Sequence, residues 1–295
     1  MMVITTPTGL IGGQVLDRVL GVRDRGQPVR VIVRDPARLS PRVRERVEVV
    51  TGSHGDPGVV DEAFAGADSV LWVTPPDPRA DSVESAYLDF TRPACDAFKS
   101  QGVQRVVGIS ALGRGAARNA GLVTASLAMD DLIADTGVNY RALTMPSFMD
   151  NLLNQVDPIR NTGTFFSPLD GDLRLPACAT RDIAAVAAEL LLDDSWTGQE
   201  SVPVLGPEDL SANDMARIMS EVLGKPVRFQ QISTEAFKAT LTGHGMSEAM
   251  AQGMADMMAA KNEGIDTAVP RTARATTPTG FRQWCEEVLK PAVLA

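Results

Sequence analysis

Along the first half of the chain, short apolar runs alternate with stretches whose apolar residues recur every three to four positions. Val3 to Thr5, Val29 with Val31 and Val33, Val47 to Val50, "SVLWVT" at 69–74 and "RVVGIS" at 105–110 have the length and residue types of strands. Between them, Ile11, Val15 and Val19 with Leu16 and Leu20 form one helical stripe. Val59, Val60, Ala63 and Phe64 form a second, and Val83, Tyr87, Phe90, Ala94 and Phe98 a third. A helix over 126–135 and a strand over 138–143 complete the series. Such alternation predicts right-handed βαβ crossovers and a parallel sheet covered by helices on both faces.

After "LTMPSFMDNLL" the rhythm loosens. The helices "DIAAVAAELLL" and "SANDMARIMSEVL" remain clear, the second capped by Ser211 with Asp214 in the place of the usual Glu. Residues 155–180, rich in Pro, Gly and Asp, read as a surface excursion. The expected class is α/β: a Rossmann-like doubly wound parallel sheet over residues 1–150 and a smaller C-terminal α/β substrate lobe over 151–295, with segments of the lobe returning to the main sheet.

Composition then narrows the partners. A formal net charge of −9 argues against nucleic acid, whose binding rests on Lys and Arg neutralising phosphates. Three widely spaced cysteines, Cys95, Cys178 and Cys285, with no CxxC pair, suit reduced thiols rather than a disulfide frame or a zinc site. No leader or membrane span is evident, so a cytoplasmic protein acting on a small molecule is expected, with assembly into a homo-oligomer left open. His54 and His244 are the only histidines and lie far apart in sequence, so no metal is expected.

The first strand runs into "TPTGLIGG" and then a helix. Gly9, Gly12 and Gly13 allow a close backbone approach, Thr8 offers a hydroxyl, and the helix N-terminus offers free N–H groups to a pyrophosphate. At the end of the second strand, "VRVIVRDPARL" puts Arg34 where NAD-binding chains place an acidic residue, with Arg38 one helical turn on. A guanidinium fork suits a 2′-phosphate, so NADP(H) is favoured over NAD(H), which Asp35 keeps open.

Taken in order, "TPTGLIG", "VRVIVRDPARL", "VEVVTGSHGDPGVVDEAFAGADSV", "RVVGISALG", "MDDLIADTGVNYRALTMPSFMDNLL" and "TTPTGFRQWCEEV" resemble the NmrA-like branch of the atypical short-chain dehydrogenase/reductases. The resemblance implies an NAD(P)H-dependent oxidoreductase acting on a quinone-like, dye-like or natural-product acceptor. It also admits a regulator that binds the dinucleotide without turning it over. It places Thr8, Gly9, Leu10, Ile11 and Gly12 along the pyrophosphate, Arg34 at the 2′-phosphate, Ser53 and His54 beside the adenine, and Thr74 and Pro75 on the ribose side. Three departures stand out: Thr6 replaces the loop's first glycine, Ser53 an Asp near the adenine, and Ser126 a Lys near the nicotinamide ribose.

The Tyr-x-x-x-Lys pair of ordinary short-chain reductases is missing. Tyr87 and Tyr140 are the only tyrosines, and positions 91 and 144 are both Thr. The candidate chemistry that remains is Ser110 at the tip of the fifth strand, with Ser126 and Asp130 a helical turn apart. Asp130 also reads as a solvated helix carboxylate beside Asp131. Phe148, Asn151, Met250 and Met254 are the expected acceptor pocket, the methionines belonging to a stripe that also suits core packing. Hydride transfer without a Tyr–Lys pair is the leading reading. A non-catalytic NADP(H)-sensing regulator that binds a protein partner and a redox-neutral natural-product cyclase or isomerase are the alternatives.

Overall fold

Successive residues of a strand face opposite sides of a sheet, and β1 (Met2–Ile4) shows the consequence. Met2 and Ile4 enter one core and Val3 the other. The computed structural model, which describes residues 1–22, 28–75 and 77–295, repeats this parity from strand to strand. Val31 and Val33 of β2 (Val29–Val33) join Met2, whereas Ile32 joins Val3 together with Val50 of β3 (Glu48–Thr51). Leu71 of β4 (Ser69–Trp72), Val107 of β5 (Arg105–Ala111) and Leu143 of β6 (Asn139–Met145) take the first side. Trp72, Val106 and Tyr140 take the second. A sheet buried on both faces explains why these strands read as nearly continuous apolar runs.

Beyond β6 follow β7 (Ser147–Phe148), β8 (Thr164–Ser167), β9 (Leu175–Cys178), β10 (Gln199–Pro203), β11 (Asp209–Leu210) and β12 (Arg228–Gln231). The main sheet has the order β10-β6-β5-β4-β1-β2-β3, and every pairing in it is parallel. The order reverses at β1, whose neighbours are β2 and β4. In such sheets ligands bind outside the carboxyl ends of the strands at the point of reversal. Two small sheets, β11-β9-β7 and β12-β8, lie outside the main one. They correct the reading of 155–180 as a surface excursion. Ile159 and Phe165 are core residues, and all four residues of β9 are buried. Pro176 and the Gly- and Asp-rich turns around β9 masked this short strand.

The helices are α1 (Leu10–Gly21), α2 (Pro41–Arg44), α3 (Pro57–Phe64), α4 (Phe90–Ser100), α5 (Leu122–Ala134), α6 (Val156–Thr162), α7 (Thr180–Leu192), α8 (Ala212–Leu223), α9 (Thr234–Gly243), α10 (Glu248–Asn262), α11 (Phe281–Trp284) and α12 (Lys290–Leu294). On one face of the sheet, Val15, Leu16 and Val19 of α1 share a core with Ile183, Ala184, Ala187 and Leu191 of α7. The alanines let the two helices approach closely. On the other face, Phe64 of α3 stacks on Phe98 of α4 at 5.1 Å, beside Met129 and Ile133 of α5. The expected capping box of α8 is present: Ser211 accepts from the Asp214 N–H, and the Asp214 carboxylate accepts from the Ser211 N–H. A third core, with Phe165, Met219, Phe281 and Trp284, belongs to the C-terminal half.

Candidate dinucleotide and acceptor site

The turn from β1 to α1 is built around two carbonyls. A Cβ on Gly12 would overlap the Thr6 carbonyl oxygen and lie 2.7 Å from that of Thr5, so only glycine lets the helix start this close to the strand. Gly9 is the N-cap, with no side-chain cap bond and no acidic residue in the first turn. The positive end of the α1 dipole and its first N–H groups are left for an anion. Thr6, where a glycine was expected, adopts φ 49°. A threonine in the left-handed region costs about 1–2 kcal/mol. Its buried Oγ1 has no hydrogen-bond partner among the described residues. Leu10 stands 61% exposed at the helix start, an apolar side chain beside an anion cradle. An unpartnered hydroxyl, an uncapped helix N-terminus and a glycine that keeps the loop open all fit a bound pyrophosphate.

At the tip of β2, Arg34 and Arg38 are both exposed, and no carboxylate pairs with either among the described residues. Asp35 caps the turn Pro36–Arg38 by accepting from the Ala37 N–H at 2.9 Å. Its carboxylate therefore already serves the turn.

His54 departs from its expected role. Its ring is 7% exposed, with Nε2 2.9 Å from the Val73 carbonyl and edge contacts to Trp72 (5.2 Å) and Phe90 (4.8 Å). Burial lowers its pKa to about 4, the Val73 hydrogen bond opposes the shift, and the charge of Arg34 adds to it. The neutral ring donates from Nε2 to Val73 and faces the aromatic core rather than an adenine. Ser53 is exposed, and its Oγ accepts from the Gly55 N–H. Thr74 donates to the Met129 sulfur at 3.0 Å, and Pro75 is half-buried beside it.

Ser110, Ser126 and Asp130 come together, and Tyr140 joins them. Ser110 Oγ lies 2.5 Å from Asp130 Oδ2 and 3.5 Å from Ser126 Oγ, while the Tyr140 hydroxyl donates to Asp130 Oδ1 at 2.7 Å. Asp130 is 2% exposed, which corrects its reading as a solvated helix carboxylate. Only Asp131 points outward, paired with Arg114 Nη1 at 2.7 Å. Gly108 makes the cluster possible: a Cβ there would overlap the Tyr140 hydroxyl, so its absence lets the phenol cross from β6 over β5 to α5. Burial raises the Asp130 pKa against the lowering effect of its two hydroxyl donors, and burial together with the Asp130 charge drives that of Tyr140 well up. An isolated glycine inside a strand was the sequence signal for this close approach.

The expected pocket residues sit on separate elements. Phe148 lies on β7, paired with Cys178, and Asn151 is exposed on the turn that follows. Met250 and Met254 share a face of α10, the first buried and the second half-buried. A surface depression of about 600 Å³ between α3 and α4, lined in part by Asp61, Asp89, Arg92 and Asp96, lies on the outer helix layer and contains none of the candidate residues. Among the described residues there is no cluster of metal-ligating side chains, and no helix is long and apolar enough to cross a membrane. All three cysteines are buried free thiols.

A seven-stranded parallel sheet with an anion cradle at its point of reversal defines a Rossmann-like dinucleotide-binding protein. The model of the NmrA-like family matches residues 1–286, and the chain belongs to that family. It is 30% identical to a (4-alkanoyl-5-oxo-2,5-dihydrofuran-3-yl)methyl phosphate reductase of Streptomyces griseus, over 97% of each chain. Identity to an NAD(P)H azoreductase of Xenophilus azovorans is also 30%, over 88% of this chain and 86% of that one. The triphenylmethane reductase of Citrobacter sp., solved with NADP(H), shares the fold at a TM-score of 0.80 and 20% identity, covering 99% of this chain and 100% of that one.

Proposed function

We propose that the protein is a reductase that uses NADP(H) in preference to NAD(H) and delivers hydride to a small conjugated acceptor. One observation carries this reading. An uncapped helix N-terminus and two exposed arginines without carboxylate partners converge at the carboxyl end of β1 and β2, where a dinucleotide phosphate and a 2′-phosphate need them. Gly9, Leu10, Ile11 and Gly12 would hold the pyrophosphate with their backbone, assisted by the hydroxyls of Thr6 and Thr8, and Arg34 with Arg38 the 2′-phosphate. When bound, reduced nicotinamide supplies hydride.

The two relatives support the class of acceptor. A 4-acyl-5-oxo-dihydrofuran and an azo compound are both conjugated systems that take hydride at one atom and a proton at another. Ser110, at the tip of β5, is the hydroxyl we assign to the acceptor, with Ser126 beside it. Residues 1–150 then form the nucleotide-binding part. Residues 151–295, with Phe148 at the junction and Asn151, Met250 and Met254, enclose the acceptor. Three reduced thiols suit a cytoplasmic protein.

Cofactor titrations of Arg34→Ala test the assignment. Loss of a guanidinium–phosphate contact should weaken NADPH about 10–100-fold, equivalent to roughly 1.4–2.8 kcal/mol, and leave NADH within about 2-fold. Equal weakening of both would remove Arg34 from the 2′-phosphate and with it the preference for NADP(H).

A further inference from the structure

We propose that Asp130 is a proton reservoir behind Ser110, so that the pair supplies the proton of the reduction in place of the missing Tyr–Lys pair. The proposal rests on the reductase reading above and deepens it.

The geometry fixes where the proton sits. The Tyr140 phenol is buried, and its hydroxyl hydrogen has one acceptor among the described residues, Asp130 Oδ1. Oδ1 is therefore committed as an acceptor, and a proton on the Asp130 carboxyl resides on Oδ2. That oxygen is 2.5 Å from Ser110 Oγ. With Oδ2–H donating to Ser110, the Ser110 hydrogen is released from the carboxylate and turns to the next acceptor beyond the strand tip. The chain of donors runs in one direction, from Tyr140 and Asp130 through Ser110.

Each proton and electron pair is accounted for. The hydride and its electron pair would come from bound reduced nicotinamide, which would be left oxidised, and would enter at one end of the conjugated system. The atom at the other end gains electron density and takes the Ser110 hydrogen, while the O–H bond of Asp130 breaks and a new one forms on Ser110 Oγ. Asp130 is left as a carboxylate accepting from Tyr140 and Ser110, with Arg114 Nη2 3.6 Å from Oδ2. Arg114 is 46% exposed, and water on its side returns the proton. Burial favours the neutral carboxyl between turnovers. The charged and titratable groups around it are Arg114 and Asp131 on the solvent side, Tyr140 from β6, and Cys95 of α4, which acts on Tyr140.

Acceptors that differ in their need for a proton provide the test. A neutral quinone takes hydride and a proton, whereas a cationic triarylmethane dye takes hydride alone and becomes neutral. In Asp130→Asn the ratio of quinone to dye turnover with NADPH should fall at least about 100-fold, the scale of a lost general acid. Infrared difference spectra of the protein without nucleotide, taken near neutral pH, should show a protonated-carboxyl band that disappears in Asp130→Asn and shifts in Tyr140→Phe. A ratio unchanged in Asp130→Asn, or no such band in the wild type, would overturn the proposal. Failure of the wild type to reduce either acceptor would instead count against the reductase reading, and the carboxyl band still decides the protonation of Asp130. Should Asp130→Asn not fold, Ser110→Ala replaces it in the turnover ratio with the same expected fall.

Discussion

At the scale of single residues, what a side chain does depends on the direction in which it turns. The glycines, Arg34 and Ser110 declare themselves by type and position. His54 could not, because a histidine after a strand reads the same whether its ring turns out to a nucleotide or in to Trp72 and Phe90. Its inward packing has a measurable consequence. The folded ring takes a proton only near pH 4, whereas in the unfolded chain it does so near 6.5. Between those values the unfolded state binds more protons, so stability is full above about pH 6.5 and declines as pH falls towards 4, by about 3 kcal/mol in total. Urea denaturation of His54→Gln should therefore show a loss of stability between about pH 7 and pH 4.5 that is roughly 2–3 kcal/mol smaller than in the wild type. An identical loss in both would show that the ring is not buried in its neutral form. Tyr140 was discounted in the sequence for lacking a Lys four residues on. The chemistry it offers runs instead to Asp130, through the space left by Gly108.

At the scale of elements, strand and helix alternation up to β6 was legible because each element buries a full face and so carries a full period. β8, β9 and β12 were not, since a four-residue strand interrupted or flanked by Pro and Gly has no period to read. Close helix approaches were hidden for a similar reason, as they depend on what a glycine omits. α10 reaches the start of α5 only because Gly121, at φ 52°, and Gly253 meet there: a Cβ on Gly121 would overlap the Gly253 carbonyl oxygen. Gly137, at φ 81°, has nothing within 4 Å of the same position. Both alanine variants bear a positive-φ cost of about 1–3 kcal/mol, at Gly121 with ψ −118° and so outside the left-handed helical region, and overpacking adds about 1–3 kcal/mol at Gly121 alone. Thermal or chemical denaturation should show Gly121→Ala less stable than Gly137→Ala by that second amount. Equal stabilities would mean that α10 does not pack on α5 in this way.

At the scale of the whole molecule, the chain after β6 is tied back to the elements before it at several points. β10 completes the main sheet beside β6, and α7 packs on α1. Asp150 accepts from the N–H and hydroxyl of Thr180 at the start of α7, and Thr180 in turn accepts from Gln14 of α1. Asp182 of α7 anchors the C-terminal segment through the N–H and hydroxyl of Thr279. The helix that would carry the pyrophosphate is thus continuous, through hydrogen bonds, with the segment that bears Asn151. That continuity links the two segments on which the proposed reductase depends. The most direct measurement is anaerobic turnover: the purified protein mixed with NADPH and, separately, a quinone, an azo dye and a triarylmethane dye. The account predicts NADPH consumption that is stoichiometric with reduced acceptor for at least one of them, and much slower consumption with NADH. Tight binding of NADPH with no oxidation by any of these acceptors would contradict it and leave a protein that holds the dinucleotide without spending it.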